Sequence, residues 1–308
     1  MAHNFGIAVH GGAGTILRSS MTPEKQAQYE GALRAATDAG YNTLAAGGSS
    51  LDAVTAAVTV LEDFPLFNAG RGSVFNNIGK HEMDASVMWG KTLEAGAVCG
   101  IAHVKNPVQL ARVVMEHSGH VLLCGHGAEE FARMQGLAME TDEWFYTQQR
   151  YDQWQEAMKE DTVQLDHTEK KFGTVGAVAL DASGHLAAAT STGGMTNKKY
   201  GRVGDSPIPG AGTYANDATC AISCTGHGEL FIRSVVAHDI SCLMEYKGLS
   251  LKEACHVVVQ DKLVKIGGEG GLVAIDHAGN IDMPFNSEGM YRACRSSNGY
   301  HSVMIYRD

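Results

Sequence analysis

Apolar and polar positions along the chain fall into short runs separated by glycine-rich turns, and the periods of those runs predict helices and strands in neighbouring groups. Phe5-Gly6-Ile7-Ala8-Val9 is a short apolar run that enters His10-Gly11-Gly12-Ala13-Gly14, the pattern of a buried strand leading into a glycine loop. Helical spacing follows twice. Pro23 suits a first helical turn, and Ala32, Leu33, Ala36, Ala39 and Gly40 form a small-residue face for close packing on a sheet. Ser50 is the expected cap of a second helix that runs to about Leu61. Strands return near 85–88 and 95–103, and helices are expected over 107–117 and 128–134. From Tyr146 to Phe172 the sequence turns polar and charged, helical at first and then a mobile linker over about 159–173.

Beyond it, apolar runs at 174–180 and 186–192 flank Asp181-Ala182-Ser183-Gly184, which predicts a β-hairpin. A strand over 218–224, helices over 229–245 and 250–266, and strands at 271–275, 281–283 and 302–306 complete the chain. Strands paired through hairpins and helices in adjacent pairs favour two stacked sheets between helix layers, because a doubly wound parallel sheet needs strict alternation. The expected fold is therefore α/β in the α+β sense: a four-layer αββα sandwich formed by residues 1–308 as one domain.

Composition narrows the function. Hydrophobic residues make up 44% of 308, enough for a full core. With 24 basic against 34 acidic residues the net charge is −10 and no Lys/Arg cluster stands out, which sets aside nucleic acid and anionic membranes as partners and favours a small-molecule enzyme. Met1 to His10 has no basic start followed by an apolar stretch, so neither export nor membrane spanning is expected. The 7 cysteines form an odd set without CxxC spacing and read as reduced, mostly buried thiols in a cytoplasmic protein. Fourteen histidines make no HExxH and Cys220 with Cys224 makes only an i, i+4 pair in a strand, so no catalytic metal is assigned. His10–Gly14 lacks both GxGxxG and the GK[ST] ending of a phosphate loop.

Thr174, in Phe172-Gly173-Thr174-Val175-Gly176-Ala177-Val178, carries two readings. The first is a turn followed by a buried strand. The second is a nucleophile made by cleavage of the Gly173–Thr174 bond, because a threonine at a chain's N-terminus has its own α-amine as base, with an ordinary pKa of about 7.7–8. Gly173 suits that event, since a residue without Cβ tolerates the backbone strain that brings the hydroxyl onto the preceding carbonyl. Arg202 and Asp205, three residues apart in a glycine-flanked loop, are able to present a cation and an anion to one small ligand, or to form a surface ion pair in a turn.

Taken in order, His10-Gly11-Gly12-Ala13-Gly14, Pro65-Leu66-Phe67-Asn68-Ala69-Gly70, Met83-Asp84-Ala85-Ser86, Gly173-Thr174-Val175-Gly176, Thr190-Ser191-Thr192-Gly193-Gly194, Gly201-Arg202-Val203-Gly204-Asp205-Ser206-Pro207 and Thr225-Gly226-His227-Gly228-Glu229 span nearly the whole chain. This ordered set resembles the plant-type asparaginase and isoaspartyl-aminopeptidase family of N-terminal nucleophile hydrolases, and most closely its bacterial isoaspartyl peptidases. The resemblance implies self-cleavage into residues 1–173 and 174–308, assembly of two such pairs, and Thr174 as nucleophile. It implies Thr192 and Thr225 as hydroxyls oriented around Thr174, with the Thr225 hydroxyl and the Gly226 N–H at the oxyanion; Asn68 would orient groups nearby. Substrate binding is implied for Arg202, Val203, Gly204, Asp205, Thr225, Gly226, His227 and Gly228, the arginine holding an α-carboxylate and the aspartate an α-ammonium. The substrates so implied are β-aspartyl dipeptides and L-asparagine. A structural sodium ion is implied on the main-chain carbonyls of Leu61, Glu62, Phe64, Phe67, Ala69 and Arg71, with no cofactor for catalysis. Two rival readings predict something else. A small-molecule-binding module would stay uncut, and an aspartylglucosaminidase-like amidase would be expected to carry a signal peptide and disulfides.

Overall fold

The computed structural model describes residues 4–160 and 173–307. Two β-sheets lie face to face between two layers of helices. The larger sheet has the strand order β12-β11-β1-β5-β6-β2-β3-β4, with β1 Gly6–Gly14, β2 Met83–Trp89, β3 Glu94–Ile101, β4 Leu122–Cys124, β5 Val175–Leu180, β6 Leu186–Thr192, β11 Gly289–Ser296 and β12 His301–Tyr306. The smaller sheet has the order β10-β9-β8-β7, with β7 Thr213–Ala215, β8 Cys220–Gly226, β9 Gly270–Asp276 and β10 Ile281–Asp282. Helices α1 Pro23–Ala45, α2 Ser50–Asp63, α3 Pro107–His117 and α4 Gly125–Met134 cover the outer face of the larger sheet. A short α5 Asp142–Phe145 and α6 Gln148–Lys159 follow, and α7 Gly228–Ser234, α8 Val236–Lys247 and α9 Leu251–His256 cover the smaller sheet. This is the expected αββα sandwich.

Three apolar layers hold it together. Ile7, Val9, Leu33, Val54, Val58, Ala177 and Ala179 pack between α1, α2 and the larger sheet. Ala8, Val178, Leu186, Ala188, Ala221, Val273 and Met290 fill the space between the sheets, and Ile222, Phe231, Ile240, Val258 and Leu272 the outer layer of the smaller one. Alternation along β1 explains the division: Ile7 and Val9 face the helices while Ala8 and His10 face the second sheet.

Several boundaries differ from the sequence reading. The first strand continues through the glycines to Gly14, with a bulge between His10 and Gly12. The cap of α2 is Ser49 rather than Ser50: its hydroxyl accepts from the Asp52 N–H, and the Asp52 carboxylate accepts from the Ser49 N–H. The helix expected over 229–245 breaks at Val235, which is left-handed with φ 48°. The helix expected over 250–266 contains a π-turn at Val257–Lys262. β11 escaped the pattern because Arg292 and Arg295 interrupt its apolar run; Arg292 is nonetheless buried, with its guanidinium 4.8 Å over the Phe285 ring. The hairpin expectation held: β5 and β6 pair from Val175↔Ser191 to Leu180↔Leu186, and Asp181 closes the turn by accepting from the Ser183 and His185 amides. Helix α6 runs through Lys159, and the rest of the expected linker, 161–172, lies outside the described residues.

Candidate active site

The site gathers at one end of the two sheets, where β5 begins and β6 and β8 end. Thr174 is half-buried and lies one residue before β5, outside its ladders. Its hydroxyl donates to that of Thr192, the last residue of β6, at 3.2 Å. The Thr192 oxygen also accepts from the Gly194 N–H at 3.0 Å, which holds it in place. Thr225 and Gly226 end β8. The Thr225 hydroxyl accepts from the Ala13 N–H at 3.3 Å, tying it to β1. Gly226 has φ 154°, and a Cβ there would sit 2.4 Å from the Glu269 carbonyl oxygen, so only glycine fits.

Asn68 spans the gap between the loop after α2 and the segment after β6. Its side-chain amide donates to the Gly194 carbonyl at 2.7 Å and its carbonyl accepts from the Val74 N–H at 3.0 Å. Gly173 packs directly on it, since a Cβ at Gly173 would fall 1.8 Å from that of Asn68. The residue before Thr174 is thus seated as closely as the chain allows.

Arg202 and Asp205 face the same space without pairing to each other. Arg202 is gripped side-on by Glu229, Nε to Oε1 at 2.8 Å and Nη2 to Oε2 at 2.9 Å. Asp205 is buried, and its Oδ2 has no hydrogen-bond partner. Desolvation raises its carboxyl from an ordinary 3.8 to about 7, only partly opposed by its own amide and by the Arg202 charge. Gly228 lies between the two charges: a Cβ on it would meet Arg202 Nη2 at 2.7 Å and Asp205 Oδ1 at 3.0 Å. A Cβ on Gly204 would press on the same guanidinium, 2.9 Å from Nη1. Val203 and His227 are half-buried at the rim of this space, His227 with Nε2 3.5 Å from Glu229 Oε2.

The sequence reading gave no role to Glu229, Lys198 or Asp84. Lys198 is buried with Nζ donating to the Glu82 carbonyl at 2.7 Å, and Asp84 accepts from the Gly100 N–H at 2.8 Å. Burial pushes the lysine pKa down and the aspartate pKa up, while each one's charge favours the ionised form of the other. A Cβ on Gly194 would lie 3.1 Å from Lys198 Nζ and 3.6 Å from Arg202 Nη1, so both cations border that glycine. A lysine within a polar turn carries no sequence signal of its burial.

The loop from the end of α2 to the 3₁₀ turn Gly70–Gly72 doubles back on itself. A Cβ on Gly70 would sit 2.6 Å from the Glu62 carbonyl oxygen, and one on Gly72 2.0 Å from that of Phe67. The carbonyls of Leu61, Phe64 and Ala69 accept long amide hydrogen bonds of 3.3, 3.4 and 3.1 Å and retain a second lone pair. Main-chain carbonyls at the C-terminal end of α2 lie at the negative end of the helix dipole, which favours a cation over an anion there. Arg150, buried on α6, ties down the outside of this loop through the Gly72 and Leu66 carbonyls.

Known proteins resemble this chain over nearly its whole length. The sequence profile of the asparaginase family matches residues 3–305. The chain is 55% identical to the isoaspartyl peptidase of Escherichia coli (strain K12) over 98% of its length and 96% of the relative's, and 55% identical to the isoaspartyl peptidase of Salmonella typhimurium over 98% of each. It is 41% identical to the isoaspartyl peptidase/L-asparaginase of Bos taurus, covering 98% of this chain and 96% of that one. With matches that cover nearly the whole of each chain, this chain belongs to the asparaginase family.

Proposed function

We propose that this chain is a self-cleaving threonine amidohydrolase that releases N-terminal β-aspartyl residues from dipeptides and hydrolyses L-asparagine to L-aspartate and ammonia. The observation that carries this reading is the pair of incomplete charges facing Thr174's end of the sheets: a guanidinium engaged by Glu229 on one edge only, and a buried Asp205 carboxylate whose Oδ2 lacks a partner. A ligand with a free α-carboxylate and a free α-ammonium completes both. Its reactive carbonyl is then the side-chain one, and an ordinary aspartyl peptide, lacking the free α-carboxylate, leaves the open edge of the Arg202 guanidinium unmatched, with Glu229 as its one carboxylate partner. The nearby Lys198 charge favours the same carboxylate.

In self-cleavage the Thr174 hydroxyl attacks the Gly173 carbonyl, the C–N bond breaks with a proton going to the departing nitrogen, and water hydrolyses the resulting ester. Thr174's nitrogen is still an amide at that stage, and the Thr192 oxygen, which accepts a hydrogen bond from the Thr174 hydroxyl at 3.2 Å, orients that hydroxyl while its proton passes to the departing nitrogen. The cut leaves the fold intact, because β1 from the first part sits between β11 and β5 of the second.

In turnover the freed α-amine takes the Thr174 hydroxyl proton as the oxygen attacks the β-carbonyl, and passes it to the leaving nitrogen. The Thr225 hydroxyl and the Gly226 N–H donate to the oxyanion, a contribution of about 3–4 kcal/mol each. Water, deprotonated by the same amine, then cleaves the β-aspartyl ester and returns the proton to Oγ. Leu61, Glu62, Phe64, Phe67, Ala69 and Arg71 would hold sodium through their carbonyls, fixing the loop that carries Asn68; the ion supplies no chemistry. Two cut pairs assemble as (αβ)2, and the free state of all seven cysteines suits the cytoplasm.

Denaturing mass spectrometry of fresh and aged protein, followed by assay on β-Asp-Leu, tests the reading. Two chains meeting at Gly173–Thr174 with turnover of the dipeptide are expected, and Thr174→Ala should give one inactive chain. Arg202→Ala should lose dipeptide turnover yet still split. A chain that stays whole and inactive would return the binding-module alternative.

A further inference from the structure

A line of polar side chains crosses the otherwise apolar space between the two sheets and ends on the nucleophile. Its members, all fully buried, are Ser86 on β2, Thr213 on β7, Thr190 on β6, Ser223 on β8 and His10 on β1. Ser86 and Thr213 hydroxyls lie 2.7 Å apart, Thr213 and Thr190 2.5 Å, Thr190 and Ser223 2.7 Å, and Ser223 Oγ is 2.9 Å from His10 Nε2. His10 Nδ1 lies 3.1 Å from the Thr174 carbonyl oxygen.

The direction of the chain follows by elimination. A carbonyl only accepts, so His10 Nδ1 carries the hydrogen and Nε2 is bare. Ser223 must then donate to Nε2, which leaves it an acceptor from Thr190; Thr190 in turn accepts from Thr213. Thr213, Thr190 and Ser223 thus each direct a hydrogen towards Thr174, Thr190 past the more distant Gly212 carbonyl at 3.2 Å, while the Ser86 hydroxyl lies 2.6 Å from the Ser206 carbonyl, nearer than Thr213. Burial, which pushes the His10 pKa down to about 3, keeps the ring neutral as this order requires. The path over β5 exists because residue 176 is glycine: a Cβ there would sit 1.9 Å from Ser223 Oγ and 2.6 Å from His10 Nε2.

Thr174 needs such a hold. The β5 ladder reaches Gly176 opposite His10 and Val175 opposite Ser191, and no further towards Thr174. Cleavage before Thr174 removes its covalent anchor on one side, while its carbonyl remains. We propose that His10 is a positioning residue for Thr174: its Nδ1–H, oriented by the Ser223–Thr190–Thr213 hydroxyl chain, fixes the Thr174–Val175 peptide plane and with it the directions of the α-amine and Oγ. This rests on the self-cleaving reading of Thr174 given above.

Two variants separate the ring nitrogens. His10→Asn places an amide N–H at the Nδ1 position and should keep kcat for β-Asp-Leu near the wild-type value. His10→Gln reaches towards Ser223 but withdraws the donor from Thr174, and should lower kcat by about 10²-fold with KM little changed, the loss typical of a misplaced reacting group. In the 15N spectrum of histidine-labelled protein, the His10 resonances, identified by their absence in His10→Asn and distinct from those of His81, whose Nδ1 also meets a carbonyl, should show a protonated Nδ1 and a bare Nε2 that persist at pH 5, and Ser223→Ala should shift that Nε2 resonance. Equal kcat in the two variants, or a protonated Nε2 at this histidine, would overturn the assignment. If His10→Gln stays uncut while His10→Asn splits, the proposal gains support at the earlier step, which uses the same hydroxyl. Should both variants fail to fold, the wild-type tautomer decides. A wild type that neither splits nor turns over β-Asp-Leu refutes the functional reading instead, and the tautomer still tests the direction of the chain.

Discussion

Arg202 and Glu229 form a two-point ion pair, Nε to Oε1 at 2.8 Å and Nη2 to Oε2 at 2.9 Å, and this contact sets which edge of the guanidinium faces the site. Glu229 is 46% exposed at its side chain while Arg202 is only 17% exposed, so the carboxylate braces the arginine from the solvent side. Glu229→Gln keeps the shape but halves the charge-assisted contact. KM for β-Asp-Leu should rise about tenfold, equivalent to ~1.4 kcal/mol, with kcat little changed. Steady-state kinetics check this; a fall in kcat at constant KM would mean that Glu229 acts on the chemistry and not on Arg202.

Gly228→Ala should be a clean test of the space between the two charges. The added methyl would meet Arg202 Nη2 at 2.7 Å and Asp205 Oδ1 at 3.0 Å, and Gly228 has no positive φ to introduce backbone strain. We expect kcat/KM to fall about 10²-fold or more while the chain still splits before Thr174. Retained dipeptide turnover would show that the ligand does not pass between Arg202 and Asp205.

The Asp205 carboxyl, raised to about 7 by burial, makes a pH prediction whose sign is definite. Binding an α-ammonium requires the ionised form, so kcat/KM should rise with pH through about 7. In the complex the ammonium favours ionisation, and this limb should vanish from kcat, leaving that of the Thr174 amine. For stability the sign is opposite: a carboxyl raised in the fold above its ordinary 3.8 stabilises most below that value, and the contribution is lost as pH rises through about 7. Asp205→Asn should therefore melt higher than wild type at pH 8 and abolish turnover. An unchanged or lower melting temperature at pH 8 would argue against an unpaired buried charge.

Packing between α1 and α2 offers a prediction unconnected with the chemistry. A Cβ on Gly40 would lie 2.1 Å from Ile7 Cδ1 and 2.9 Å from the Ala53 carbonyl oxygen, so Gly40→Ala must push apart the helix pair and β1. The cost should be about 1–3 kcal/mol by denaturant unfolding, with normal activity per folded molecule. No loss of stability would mean that α1 shifts freely on the sheet.

Much of this molecule was legible in its residues. Alternating and continuous apolar runs located both strands of the hairpin that follows Thr174, and of the small-residue face Ala32, Leu33, Ala36 and Gly40 lie buried while Ala39 is half-buried. These are local properties: the period of burial is imposed by the backbone geometry of each element, so a window of ten or fifteen residues contains it. The type of chemistry was visible through the ordered set of motifs that the chain shares with the asparaginase family, because a Gly-Thr junction or an Arg/Asp pair taken alone reads equally as the start of a strand or an ion pair in a turn. What the linear order could not contain was how those groups pair. Arg202 takes Glu229, 27 residues away, and leaves Asp205 unpartnered; β11, with its two arginines, is a strand only because β1 and β12 flank it. His10 reaches Thr174 across 164 positions and Ser223 across 213, through an opening left by the missing side chain of Gly176. The sequence by itself determined the layers, the reactive groups and most of the elements, β11 and the break at Val235 excepted, since these depend on residue type and short-range period. Only the tertiary structure decided partners, burial and hydrogen-bond direction, because those depend on which side chains the stacked sheets bring within about 3 Å of one another and away from water.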